Sequence, residues 1–157
     1  MFERFGDLPL HVLVIHLTVV LLPVAALTVI LFAVVPRWRH VLRWPALVLG
    51  AGTVVCAFVA KESGEAFVNA VPTLAKAVAL HQSRGNLLFW YCLIFAIVAV
   101  AAFLLLGRTG DKATKSRPLE LLTQAAVVVI GVLVLWQTVR TGDAGAKAVW
   151  EGQLPPK

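Results

Sequence analysis

The hydrophobic positions of the chain fall into four long runs that contain almost no charged residue. These runs cover about residues 10–35, 41–62, 85–106 and 119–140. Each is close to the roughly 20 apolar residues that an α-helix needs to cross the hydrocarbon layer of a membrane. The pattern therefore predicts an all-α fold, an integral membrane bundle of four transmembrane helices that residues 1–157 form as a single domain.

Composition strengthens the membrane interpretation. Hydrophobic residues make up 60% of the 157 residues and charged residues only 14%, and the mean hydropathy is +0.88. A water-soluble domain of this size has no core large enough to bury so much apolar surface. The lipid bilayer is thus the first partner that the sequence predicts.

Positive charge sets the expected orientation of the helices. Seven of the fourteen Lys and Arg residues lie in two short connections, "RWRHVLR" after the first run and "RTGDKATKSR" after the third. Cytoplasmic loops of membrane proteins are enriched in these residues, so both termini and the connection 61–84 are expected outside. The net charge of +6 is then a topology signal, and no nucleic-acid partner is expected because no soluble domain carries it.

The long outer connection reads "KESGEAFVNAVPTLAKAVALHQSRG". Pro72 and Thr73 are typical of a helix start, and the apolar residues that follow are spaced as on a helix. The pattern predicts a structured outer loop whose helix runs directly into the third span. The alternative is an amphipathic helix that only lies against the lipid headgroups.

Small and amide residues indicate where the helices meet. Small residues recur every fourth position along the second run, at Gly52, Cys56, Ala60 and Gly64. Such a stripe allows another backbone to approach closely, so we expect a tight helix contact there. Gln124 and Gln137 in the fourth run are expected to form hydrogen bonds to other helices.

Ionisable residues from all four helices lie at the expected outer end. They are His11, His16, Glu65, His81 and Asp143. Five residues along a helix correspond to about 140° of rotation, so His11 and His16 cannot bind one small ion from the same face. An unpaired polar group facing lipid costs several kcal/mol, so we expect His16 and His81 to point into the bundle with Glu65 and Asp143 nearby.

Several segments resemble the DUF2231 family of small bacterial membrane proteins. They are "LPLHVLVIHLTVVLLPVAAL", "SGEAF", "ALHQSRG" and "RTGDAGAKAVWEG". The resemblance covers nearly the whole chain and implies four spans and a multi-pass location in the bacterial cytoplasmic (plasma) membrane. Its motif residues here are His11, His16, Glu65, His81, Gly142, Asp143 and Gly145. Related domains are associated with Rieske or cytochrome domains, which implies a role near electron transfer.

Three hypotheses for the outer cluster follow. In the first, either His11 or His16 from the first helix is paired with His81 from the third, and the two supply the axial ligands of a haem b; the chain has no CxxCH, so covalent haem attachment is excluded. In the second, His16, His81, Glu65 and Asp143 bind zinc or iron. In the third, the cluster binds no cofactor and is a hydrogen-bond network in a structural or accessory subunit.

The sequence favours no enzyme and no transporter. It contains no nucleophile elbow, phosphate-binding loop or H-E-x-x-H motif. The four runs also lack the recognisable internal repeat of many transporters. Besides the bilayer, the partners consistent with these hypotheses are a redox protein in the membrane or outside the cytoplasm and a second copy of the chain.

Overall fold

The computed structural model describes residues 4–107 and 117–151, and within them it confirms the all-α membrane bundle. Four helices there are long and apolar enough to cross a membrane. They are α1 Leu10–Val34, α2 Arg39–Ala70, α3 Ala75–Leu106 and α4 Arg117–Trp150. A small antiparallel hairpin, β1 Arg4–Phe5 and β2 Leu8–Pro9, precedes α1.

The long connection between α2 and α3 is structured, as the sequence predicts. Helix α2 continues beyond its apolar run to Ala70, and a 3₁₀ turn at Pro72–Leu74 leads directly into α3. The residue before a proline is disfavoured in the helical conformation, and Val71 accordingly has φ −131° and ψ 73°. The two helices therefore form a helical hairpin that projects about 12–15 Å past the apolar part of the bundle.

Each helix packs against its two neighbours around the bundle, so α1 and α3 lie on a diagonal. Glycines allow the closest approaches: a Cβ on Gly50 would lie 2.7 Å from the Ala99 Cβ, and one on Gly131 would lie 2.9 Å from the Ile30 Cδ1. The prediction for Gly52 is wrong, because no atom lies within 4 Å of its Cβ position. Gly50 is turned about 200° from Gly52 on the helix and faces the core instead.

The two halves of the bundle repeat one pattern of burial. Six of the buried residues of α1 have a buried counterpart 70 residues later in α3: Thr18, Leu22, Ala25, Ala26, Val29 and Phe32. All six buried residues of α2 have one 81 residues later in α4: Ala46, Gly50, Thr53, Cys56, Ala57 and Ser63. The hairpins α1–α2 and α3–α4 are thus pseudo-equivalent, and the expectation of no internal repeat is wrong. The repeat is mainly in burial and only at a few positions in residue type, so the sequence shows it weakly.

An ion pair lies at the end of the bundle where α2 and α4 begin. Arg39 on α2 forms an ion pair with Glu120 on α4 at 2.8 Å and donates to the Ala33 carbonyl at 2.9 Å. Gln124 accompanies this pair, because it donates to Glu120 of its own helix at 3.4 Å rather than to another helix as expected. Three of the other basic residues predicted at this end, Arg108, Lys112 and Lys115, lie outside the described residues.

Candidate functional site

His11 lies in the first turn of α1, where the chain leaves Pro9 and enters the bundle. Its Nδ1 is 3.0 Å from the carbonyl oxygen of Ala60 and 3.3 Å from the Ser63 Oγ, both on α2. A carbonyl oxygen only accepts hydrogen bonds, so Nδ1 carries the proton and donates it. The lone pair of the neutral ring is then on Nε2.

His81 repeats this arrangement in the other half of the bundle. Its Nδ1 donates to the carbonyl oxygen of Thr141 on α4 at 2.9 Å. Both imidazoles are therefore fixed in the same tautomer by a backbone acceptor on the next helix. Among the described residues, neither Nε2 has a hydrogen-bond partner.

The two rings face each other across the α1–α3 diagonal. Their centroids are 6.2 Å apart and their planes are inclined by 71°. A glycine lies against each ring: a Cβ on Gly64 would be 3.0 Å from the His11 Cε1, and a Cβ on Gly145 would be 3.0 Å from the His81 Cε1. Any larger residue at these glycines would push the ring out of place.

The residues of the site are related by the same internal repeat as the rest of the fold. His81 follows His11 by 70 residues, and Thr141 and Gly145 follow Ala60 and Gly64 by 81. Each half thus supplies one imidazole, one carbonyl acceptor and one glycine. The pair forms where the two halves meet.

A hydrogen-bond network supports the His81 side. The Thr141 Oγ1 donates to the Gln137 carbonyl at 2.8 Å and lies 3.3 Å from the Arg84 carbonyl. The Gln137 Nε2 donates to that Arg84 carbonyl at 3.0 Å, so the predicted hydrogen bond from Gln137 to another helix is confirmed. The Arg84 guanidinium donates to the Arg140 carbonyl at 2.7 Å. Hydrogen bonds of the Thr141 side chain and of the preceding Arg140 carbonyl thus fix the backbone whose carbonyl accepts from His81.

His16 lies away from this pair. It is exposed on the outer surface of α1, and its Nδ1 donates to the Val12 carbonyl of its own helix. The expectation that His16 points into the bundle is wrong. His16 lies at the expected height along α1, but its side chain is on a different face of the helix. A rotation of about 140° from the buried face of His11 turns it outward.

The two carboxylates are paired with cations at the rim of the site. Glu65 forms an ion pair with Lys61 at 2.9 Å, and Asp143 pairs with Lys147 at 3.0 Å and with Arg84 at 3.6 Å. The hydrogen bond from Lys147 and the nearby positive charges hold the pKa of Asp143 below its ordinary value. The described residues contain no group of three or more His, Cys, Asp or Glu side chains that could bind a metal ion. The suggested set of His16, His81, Glu65 and Asp143 is therefore not brought together.

Sequence reasoning missed Ser63 and Thr141, which lie beside the histidines. Two spacings carry the signal: Leu-His occurs at 10–11 and again at 80–81, and Gly50 and Gly64 are fourteen residues apart, as are Gly131 and Gly145. Neither spacing is informative alone. Together they mark the repeat and the residues that line the pair.

Comparison with known protein families gives a match over nearly the whole chain. The family described as "Predicted membrane protein (DUF2231)" matches residues 7–155. The chain belongs to the DUF2231 family. Comparisons with curated proteins and with solved structures give no match. This DUF2231 protein is thus a multi-pass membrane protein, and a proposal for its function has to come from its own side chains.

Proposed function

We propose that this DUF2231 protein is an electron-transfer component that holds a haem b between His11 and His81. The observation that carries the proposal is the pair of Nε2 lone pairs, each freed by an Nδ1–H hydrogen bond to a carbonyl. Histidines that bind metals have this arrangement, because the second hydrogen bond fixes the tautomer and increases ring basicity.

The separation of the rings supports the same conclusion. Metal–nitrogen bonds are about 2 Å long, so two imidazoles that would hold one metal need centroids no more than about 6 Å apart. The centroids of His11 and His81 are 6.2 Å apart. The diagonal position of α1 and α3 also puts the two ligands on opposite sides of the bundle axis, where four-helix bundles hold their cofactors.

The number of donors favours haem over a bare ion. A structural zinc ion takes four protein ligands and a catalytic one takes three. The described residues offer the two imidazoles without a third ligand, because Glu65 and Asp143 are paired with cations. A porphyrin brings four ligands of its own, so two protein ligands are enough.

The glycines beside the rings help to position the two imidazoles. A Cβ on Gly64 or Gly145 would lie 3.0 Å from the ring of His11 or His81, so each ring packs directly on the backbone of α2 or α4. Glycine is the residue that permits such a close approach. In the proposal these glycines therefore seat the ligands.

The protein residues have defined roles in this proposal. A bound haem would supply one-electron transfer. The Ala60 and Thr141 carbonyls orient the rings, while Ser63, fully buried, donates to the Ala60 carbonyl at 3.1 Å.

The test is a dithionite-reduced absorbance spectrum of the full chain, expressed with haem precursor and purified in detergent, together with iron analysis. We expect a Soret band in the wild type, its loss in His11→Ala and His81→Ala, and its retention in His16→Ala. His16→Ala is the matched control, because it removes an imidazole of the same helix that faces away. A wild type with no Soret band and no stoichiometric iron would refute the proposal.

The second candidate is the structural one. Its support is that the same hydrogen bonds join α1 to α2 and α3 to α4. In that case the purified protein is colourless, and His11→Ala and His81→Ala lower its thermal stability without any spectral change. Stability and spectrum measured on the same samples distinguish the two candidates.

A further inference from the structure

A shallow cavity of about 470 Å³, largely open to the surface, lies between α3 and α4, and neither His11 nor His81 lines it. Its polar and aromatic lining comes from the two helices: Ser83, Arg84, Asn86, Trp90, Gln137 and Arg140. Leu80 and Leu87 complete one wall, and Leu87 is 45% exposed on the surface that faces lipid. The cavity therefore opens where a membrane-soluble molecule can enter it.

The internal repeat provides a control for this lining. The corresponding positions in the first half are Leu13, Val14, His16, Val20, Cys56 and Val59. Except for His16, these counterparts are apolar, although they lie in the same fold at the same depth. Folding of the hairpin thus does not require polar residues on this face. Arg84 and Gln137 take part in the network that supports the His81 side, but this network does not explain Ser83, Asn86 and Trp90.

Gln137 indicates what kind of group the cavity accepts. This side chain is fully buried, and its Nε2 donates to the Arg84 carbonyl. Its Oε1 has no hydrogen-bond donor among the described residues. A buried acceptor without a donor is destabilising, so a ligand that brings a hydroxyl hydrogen to this amide gains affinity.

We propose that this cavity binds the headgroup of a membrane-soluble quinol. A quinol has two hydroxyl donors on a flat ring, which match the acceptor of Gln137 and the aromatic face of Trp90. The side chains of Asn86 and Arg140 are donors for the oxygen at the other end of the ring. A phospholipid phosphate suits the arginines but only accepts hydrogen bonds, so it leaves the Gln137 Oε1 without a donor.

The reduced form should bind better than the oxidised form. A quinone has carbonyl oxygens in place of hydroxyls and cannot donate to Gln137. The difference of one hydrogen bond at a buried acceptor corresponds to about tenfold in affinity. This preference belongs to the cavity and does not depend on whether a haem is bound between the histidines.

The experiment uses the full chain in nanodiscs of quinone-free lipid, titrated anaerobically with a short-chain ubiquinol and then with its quinone by calorimetry. We expect the wild type to bind the quinol about tenfold more tightly than the quinone. In Gln137→Leu the two forms should bind equally. Cys56→Ala, at the position equivalent to Gln137 in the other half, should retain the preference.

A second variant protects the test against misfolding, since Gln137 is buried. Trp90 is 58% exposed, so Trp90→Leu should fold normally and weaken the binding of both forms. The proposal fails if the wild type shows no saturable quinol binding, if it does not prefer the quinol, or if Trp90→Leu leaves the binding unchanged. It also fails if mass spectrometry shows a phospholipid in this cavity that the quinol does not displace. A colourless protein that binds quinol would refute the haem proposal alone.

Discussion

His11 and His81 face each other across the bundle diagonal, with each Nδ1–H bonded to a carbonyl of the following helix. The two residues belong to different hairpins, so their relative position depends on how the halves of the chain pack. Each ring is oriented within its own hairpin. The distance between the rings is therefore sensitive to the helix contacts, and the glycines that permit those contacts are the first residues to test.

Gly145→Ala should destabilise the site. The new Cβ would lie 3.0 Å from the His81 ring, and overpacking of this kind costs about 1–3 kcal/mol. We expect a lower thermal midpoint in detergent. Gly142→Ala is the matched control on the same helix, because no atom lies within 4 Å of its Cβ position. Equal midpoints for the two variants would contradict the packing of His81 on Gly145.

Gly50→Ala and Gly52→Ala should change stability in opposite directions. The Cβ at Gly50 would meet the Ala99 Cβ at 2.7 Å, whereas the Cβ at Gly52 would meet nothing within 4 Å. Alanine in place of glycine within a helix is otherwise more favourable by about 0.5–1 kcal/mol. Thermal unfolding of both variants should show a loss at 50 and a small gain at 52. A loss at 52 would mean that the Gly52 face is covered in the membrane.

His11→Leu and His16→Leu should differ in stability although both remove an imidazole from α1. The first removes the hydrogen bond from His11 to the Ala60 carbonyl, which still accepts from Ser63, and one such hydrogen bond contributes about 0.5–1.5 kcal/mol. The second replaces an exposed ring with an apolar side chain on the lipid-facing surface. We expect a clear decrease in the thermal midpoint for His11→Leu only, and comparable decreases would argue that His16 has a partner of its own.

Acidification should release Arg84 from Asp143. The folded-state pKa of Asp143 is lowered, mainly by the hydrogen bond from Lys147. The ion pairs are therefore complete above the unfolded-state pKa, and their contribution is lost as the pH falls through the folded-state value. A pH series of thermal midpoints for the wild type and Asp143→Asn should show a difference near neutral pH that disappears in acid. A difference that persists in acid would assign the effect to something other than ionisation.

Cysteine labelling tests the predicted orientation. A cysteine at Lys112, in a basic connection expected inside, should react with a membrane-impermeant reagent only after lysis. A cysteine at Lys76, exposed on the projecting hairpin, should react in intact cells. The native Cys56 and Cys92 are buried and should not interfere. Labelling of Lys112→Cys in intact cells would reverse the topology.

Hydropathy predicts the four helices because a membrane span has to be long and apolar, but it does not predict how far α2, α3 and α4 extend beyond their apolar runs. The height of a residue along its helix can also be predicted from the sequence, and His11 and His81 do lie at the same end of the bundle. The direction in which a side chain points around the helix axis cannot be predicted in the same way, because every face of a membrane helix is apolar. His16 was therefore expected inside and lies outside, and Gly52 was expected at the contact that Gly50 makes. Ser63 and Thr141 support the histidines only where two helices meet, so no pattern within a single helix indicates their role.

The pseudo-equivalence of the two hairpins bears on how such a chain could have arisen. Two separate copies of one hairpin, paired side by side, would form the same histidine pair across a symmetric interface. In that assembly the two hairpins would have the same side chain at every equivalent position. Arg84 and Val14 occupy equivalent positions, so the assembly could not have one of them on each hairpin. Joining the copies in a single polypeptide removes this constraint. One hairpin can then keep an apolar flank while the other acquires a polar one, without disturbing the centre that they share.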